Sequence, residues 1–166
     1  MPLVDTLLPE FDREMGLTRR ALDRVPDGQF EWRPHPTSVT LGRLAEHLTE
    51  MPLWATTTMT QSELEASQQR PPDYQPPSTR AEVLAQFDSC LKTARAALVN
   101  KTDAEFNAPW KFKNNGKEVF TAPKAMVMRN FVLNHMIHHR GQFVVYLRML
   151  GVPVPSIYGP SGDEQM

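Results

Sequence analysis

The residues best suited to chemistry lie in the stretch Asn134-His135-Met136-Ile137-His138-His139-Arg140-Gly141-Gln142, which holds three of the chain's five histidines. On a helix, His135 and His139 are one turn apart on the same face, with Cβ atoms about 6 Å apart. That separation lets two imidazoles chelate one metal ion. Met128, Phe131, His135, His139, Gln142, Tyr146 and Met149 recur at alternating steps of three and four, the spacing of a buried seam. The spacing therefore predicts both histidines in core positions, where their ring nitrogens must be bonded. A metal would bond them, because each neutral imidazole can donate one lone pair. His138 lies about 100° around the helix from His139, so it is expected behind the ligands or at the surface. Gln142 and Tyr146 share the stripe and could bond ligands, water or substrate, or equally backbone groups in the core.

Two histidines leave a divalent ion under-coordinated, and a catalytic site needs a third ligand from a facing helix. His47 is the candidate. With Met51 and Trp54 it forms an i, i+4, i+7 line that would place an imidazole and an indole along one wall of an interior space. Taken alone, His47 reads as a partly exposed helix residue bonded to water, and it becomes a candidate ligand only through the later pair. Pro52 removes a backbone donor one turn later, so it should bend the helix and could widen a pocket there. The pair is not the zinc-peptidase pattern, which needs a glutamate where this chain has Met136. His35, between Pro34 and Pro36, is expected on a solvent-side loop. Cys90 is the single cysteine, which rules out an internal disulfide or a cysteine cage for zinc. It reads as a small core residue, so a nucleophilic thiol would have to come from a second substrate.

Four amphipathic segments must position these groups. The first runs from Leu3 to about Arg24, with Val4, Leu8, Phe11, Met15, Thr18, Leu22 and Val25 on one stripe. Thr40 can cap a second, packed through Leu41, Leu44, Ala45 and Leu48. Residues 69–78, with four prolines, predict a stiff extended connection. Thr79-Arg80-Ala81-Glu82 is a capping box opening a third helix, with Leu84, Phe87, Leu91, Ala94 and Leu98 inward. Thr102-Asp103-Ala104-Glu105 could start a helical turn. Trp110 to Phe120, around Asn114-Asn115-Gly116, predicts a small hairpin, with an irregular loop as the alternative. Its Trp110, Phe112 and Phe120 could roof a cavity or staple the loop down. A fourth helix should run from Pro123 to about Leu150, before Gly151 and Pro153 stop it, and the tail Val152 to Glu164 should cross other elements in extended form. The pattern predicts an all-α four-helix bundle with long crossover loops, as one domain over residues 1–166.

Composition narrows the partners. A net charge of -1 without a basic patch argues against nucleic acid. No apolar run approaches the ~18 residues of a membrane span, and Asp5 and Glu10 interrupt any leader pattern, so a cytoplasmic protein is expected.

Two motifs carry a family resemblance: Trp32-Arg33-Pro34 leading to Leu44-Ala45-Glu46-His47-Leu48, and His135-Met136-Ile137-His138-His139-Arg140-Gly141-Gln142 leading to Tyr146-Leu147-Arg148. With the tail Gly151 to Ser161, they span nearly the whole chain, which resembles the DinB-like (DinB/YfiT-like) metalloenzyme family. The resemblance implies an up-down-down-up four-helix bundle, often a homodimer, with His47, His135 and His139 holding a divalent metal. It also implies transfer of a low-molecular-weight thiol such as bacillithiol, mycothiol or glutathione, while many members have no known activity. The family name refers to DNA damage and is not evidence for DNA binding.

The expected function is thus a metal-dependent S-transferase acting on a small-molecule electrophile. Water in place of the thiol would give a hydrolase. A non-catalytic metal- or ligand-binding module of a stress response is the competing class. Three nitrogen ligands suit zinc, nickel, iron or manganese, with selection set by geometry and supply.

Overall fold

The computed structural model describes residues 1–67 and 73–165. Four long helical stretches dominate: α1 (Leu3–Leu22), α2 (Leu41–Thr60), α3 (Arg80–Leu98) and a final stretch composed of α5 (Lys124–Val127), a π-helical segment (Met128–Asn134) and α6 (His135–Met149). Between α3 and α5 lie the short α4 (Asp103–Asn107) and two strands, β2 (Pro109–Asn114) and β3 (Lys117–Pro123). Strand β1 (Glu63–Glu65) follows α2. No helix among the described residues is long and apolar enough to cross a membrane.

Helix starts follow side-chain chemistry. Thr40 accepts a hydrogen bond from the Arg43 amide, while Thr79 with Glu82 and Thr102 with Glu105 form complete capping boxes. Each satisfies amide donors that a helix N-terminus leaves bare. Helix α2 continues through Pro52 for two more turns to Thr60. Both α1 and α2 pack against α3 and α6, so the bundle reads α1, α3, α2, α6 around its axis, and the consecutive helices α1 and α2 are diagonal. Phe11 and Met15 of α1, Leu44 and Leu48 of α2, Phe87 and Leu98 of α3, and Met136 and Phe143 of α6 meet in one apolar cluster. The extended connection expected over residues 69–78 lies outside the described residues as far as 72; residues 74–78 have no regular structure.

The last helix corrects the expected seam. Its buried residues are Val127, Met128, Val132, Leu133, Met136, Arg140, Phe143 and Leu147, so the expected seam holds at Met128 and from Val132 onward lies one position away from the histidine stripe. His135 and His139 are half-buried, Gln142 is exposed and Met149 is 57% exposed. There are two physical reasons. The π-helical segment replaces i→i+4 by i→i+5 bonding, so one 3.6-residue period cannot be extrapolated across it. And the true seam carries an arginine, which no hydrophobicity pattern would place inside.

The hairpin forms as expected, with Asn115 (φ 50°) and Gly116 (φ 71°) supplying the two positive-φ residues of its tight turn. Strand β1 joins it in parallel, with Leu64 opposite Phe112, giving a three-stranded sheet in the order β1-β2-β3. The carboxylate of Glu65 accepts the amides of Asn115 and Gly116, both at 3.0 Å, and so ties the strand to the turn. The hydroxyl and amide of Ser67, with those turn amides, hold this carboxyl at about 2.

Arg140 is anchored by α1 and the tail. It donates to the Glu14 carboxylate (2.8 Å), the Glu14 carbonyl (3.1 Å) and the Thr18 hydroxyl (3.3 Å). The Tyr158 hydroxyl accepts from Arg140 at 2.7 Å and donates to Glu14 at 2.6 Å. Arg140 and Glu14 side chains are only 2% and 5% exposed. Further along, Glu164 pairs with Arg20 at 2.6 Å and Asp163 pairs with Arg148, which lays the tail across α1 and α6 as expected. Removing one partner of a buried pair strands the other charge, so Arg140→Leu should cost about 3–5 kcal/mol of unfolding free energy by urea titration. The double variant Glu14→Met/Arg140→Met should recover most of that loss; a single-variant loss below ~1 kcal/mol would remove the pair from the account of stability.

Candidate metal centre

The bundle brings His47 of α2 against His135 and His139 of α6, and the three rings offer nitrogen atoms that all lie within 4.8 Å of one another. His135 Nε2 is 2.8 Å from His139 Nε2 and 3.3 Å from His47 Nε2. The outer nitrogens decide what these inner ones can be. His47 Nδ1 faces the Glu50 carboxylate at 3.4 Å, and His139 Nδ1 faces the side-chain carbonyl oxygen of Gln142 at 2.8 Å. The His135 ring is bonded by the backbone carbonyl of Phe131. All three outer partners are acceptors, so each outer nitrogen carries the proton and each inner nitrogen presents a lone pair.

Three bare lone pairs at these distances repel one another unless a cation lies among them. The cluster could therefore hold a divalent metal ion. Its electrostatics agree. Burial lowers the His135 pKa to about 4, helped by the neighbouring charges of His139 and His47 and opposed by the Phe131 carbonyl. Burial also lowers that of His139, with Gln142 opposing and His47 and His138 assisting. Both rings are neutral near pH 7, the form that ligates metals.

The surroundings are asymmetric. On one side the Trp54 ring meets His135 edge-on at 5.5 Å and His47 at 6.4 Å, and it stacks on Phe131 at 6.1 Å. Phe131 in turn meets Phe120 at 4.8 Å and Phe112 at 5.5 Å, so the hairpin's aromatic rings back the wall of the site. On the other side Val39, Arg43, Leu44, His47 and His139 line an open cavity of about 210 Å³.

A model of the DinB family matches residues 1–165. The chain belongs to the DinB family. It is 25% identical over 161 residues to the uncharacterized protein YrdA of Bacillus subtilis (strain 168), covering 97% of this chain and 91% of YrdA. Among solved structures, a DinB-like protein from Bacillus cereus ATCC 10987 matches with a TM-score of 0.74 at 24% identity, covering 95% of this chain and 98% of that one. A DinB-like protein of Bacillus subtilis, YjoA, matches with a TM-score of 0.69 at 16% identity, covering 96% and 99%. At these identities the structural likeness establishes the fold: mainly helical, with four long helices and a small sheet before the last.

Within this DinB fold the other expected site residues separate. Trp54 lines the cluster, and Gln142 bonds His139 although it is exposed. His138 is exposed, its ring 4.9 Å from that of His139, outside the cluster. Met51 is fully buried in the core. Tyr146 packs edge-on against Trp32 at 5.6 Å, fastening the first connection to α6. His35 is exposed and bonded to Thr37. Glu50 and Arg43 were missed, although the i, i+3 spacing of His47 and Glu50 was a readable signal.

The depressed histidine values have a direction in stability. Below about pH 6.5 the unfolded chain takes up protons that folded His135 resists until about pH 4. Metal-free protein should therefore lose stability as pH falls from 7 toward 4, and His135→Gln should flatten that slope; equal slopes in urea midpoints at pH 7, 6 and 5 would contradict it.

Proposed function

We propose that this DinB-family protein is a divalent-metal-dependent enzyme that transfers a low-molecular-weight thiol to an electrophilic small molecule. The observation that carries this is the convergence of three histidine Nε2 atoms beside an open cavity. In this role His47, His135 and His139 hold the ion. Zinc, nickel, iron or manganese bound there would act as a Lewis acid that favours the thiolate form of an incoming thiol.

The chain's own residues supply the rest. Three neutral imidazoles cancel none of the cation's charge and leave coordination positions for a substrate. Trp54 and Phe131 close one side to water, and the cavity between Val39, Arg43 and Leu44 leaves the other accessible. No internal thiol competes. Cys90 is buried, and burial together with the negative charge of Glu50 raises its pKa, which keeps it protonated. The sulfur nucleophile is thus assigned to a second substrate: its proton passes to solvent, and as the sulfur–carbon bond forms the bond from that carbon to its leaving group breaks, the leaving group departing with the electron pair.

Protein purified without a nickel column should contain close to one equivalent of a divalent metal by elemental analysis, and His139→Ala should contain little. Equal metal in both would overturn the site. Metal-replete protein should then accelerate the reaction of a generic electrophile with at least one of bacillithiol, mycothiol and glutathione. A bound metal without thiol-dependent turnover would make the protein a binding module, and turnover with water alone would make it a hydrolase.

A further inference from the structure

The outer nitrogens of the three histidines are not treated alike. His135 and His139 meet neutral oxygens, the Phe131 carbonyl and the Gln142 amide, both from their own helical stretch. His47 meets a carboxylate. Glu50 Oε2 lies 3.4 Å from His47 Nδ1, and both side chains are 19% exposed. We infer that Glu50 is a positioning residue of the metal centre, which fixes the His47 tautomer and orientation and supplies the anionic charge that three neutral imidazoles lack.

Three features argue for this. His47 is the lone ligand on α2, so its ring must be aimed across a helix–helix interface, where a small rotation would remove it from the cluster. Glu50 stands one turn further along α2 on the same face, the arrangement in which i, i+3 side chains meet. Glu50 is itself restrained, because Arg43 donates to Glu50 (3.3 Å) and to the buried Glu46 (3.1 Å) through the same Nη1. Glu46 accepts from the Tyr74 hydroxyl at 2.8 Å, and Tyr74 accepts from Gln86 of α3 at 3.4 Å. The carboxylate therefore belongs to a network spanning α2 and α3 and is not a freely rotating surface group.

A carboxylate bonded to the far nitrogen of a ligating imidazole raises that ligand's basicity and fixes its ring, and losing such a partner costs about 10–100-fold in metal affinity. The inference rests on the metal-site proposal, and the experiment separates the two. Zn²⁺ affinity is measured by competition with a chromophoric chelator for wild type, Glu50→Ala and Glu50→Gln, alongside the melting temperature of each metal-free protein and the visible spectrum of each Co²⁺ form. The expected result is a loss of about 10–100-fold for Glu50→Ala with an altered Co²⁺ spectrum. Glu50→Gln, which keeps an acceptor oxygen without the charge, should fall between. Failure of the wild type to bind Zn²⁺ would overturn the metal site itself. Wild-type binding with both variants within about twofold of it would overturn the role of Glu50 alone, and so would a lowered metal-free melting temperature with unchanged affinity.

Discussion

The rotation of α6 about its own axis is set by the buried pair of Arg140 and Glu14, and the candidate site depends on that rotation. His139 and Arg140 are neighbours, about 100° apart around the helix. Arg140 reaches back to α1 and to Tyr158, while His139 faces α2. Turning α6 to bury the histidines more deeply would pull a guanidinium away from four bonds that replace its water. Leaving a buried charge unpaired is among the costliest single changes available to a fold of this size. The charge that secures the back of the helix therefore holds the imidazoles at the half-buried depth where a metal ion and a small molecule can both reach them.

This explains what was legible in the sequence. His47, His135 and His139 were identified from spacing and from the requirement for a third ligand, and the bundle brings those three together. The reasoning that put His135 and His139 on the core seam was nevertheless off by one residue. A binary pattern scores Arg140 as polar, yet here it is the largest fully buried side chain. A period of 3.6 also cannot foresee a π-helical segment, since no residue in Met128 to Asn134 compels one locally. Capping boxes and the Asn-Gly turn were readable because their chemistry is complete within four residues. Strand β1 was not, because three residues paired in parallel to a distant hairpin leave no local periodicity.

The hairpin turns out to belong to the site. Trp110, Phe112 and Phe120 staple the segment down, but Phe112 and Phe120 also pack on Phe131, and Phe131 on Trp54. The aromatic series runs unbroken from the sheet to the histidines. Phe131 has a second part in it, since its carbonyl bonds the His135 ring. One residue of the π-helical segment thus meets a histidine of the cluster through its backbone and forms part of the wall through its side chain, which fits the frequent occurrence of such segments at functional sites.

The polarity of the site follows from which sides are closed. The aromatic wall lowers the local dielectric around His135 and keeps its ring neutral, while Arg43 stands at the open side next to His47 and His139. A cation held only by neutral imidazoles would keep its full charge in this setting, which strengthens its pull on an anionic sulfur but weakens its own retention. With an ion held there, Glu50 would resolve that tension at one bond's remove. Its carboxylate would offset part of the ion's charge through His47 without occupying a coordination position, which would leave the positions facing the cavity open. A carboxylate in direct contact with the ion would hold it more tightly and leave it a weaker Lewis acid. The division between neutral donors inside and one carboxylate behind them suits a centre that must retain a metal ion and still keep coordination positions open.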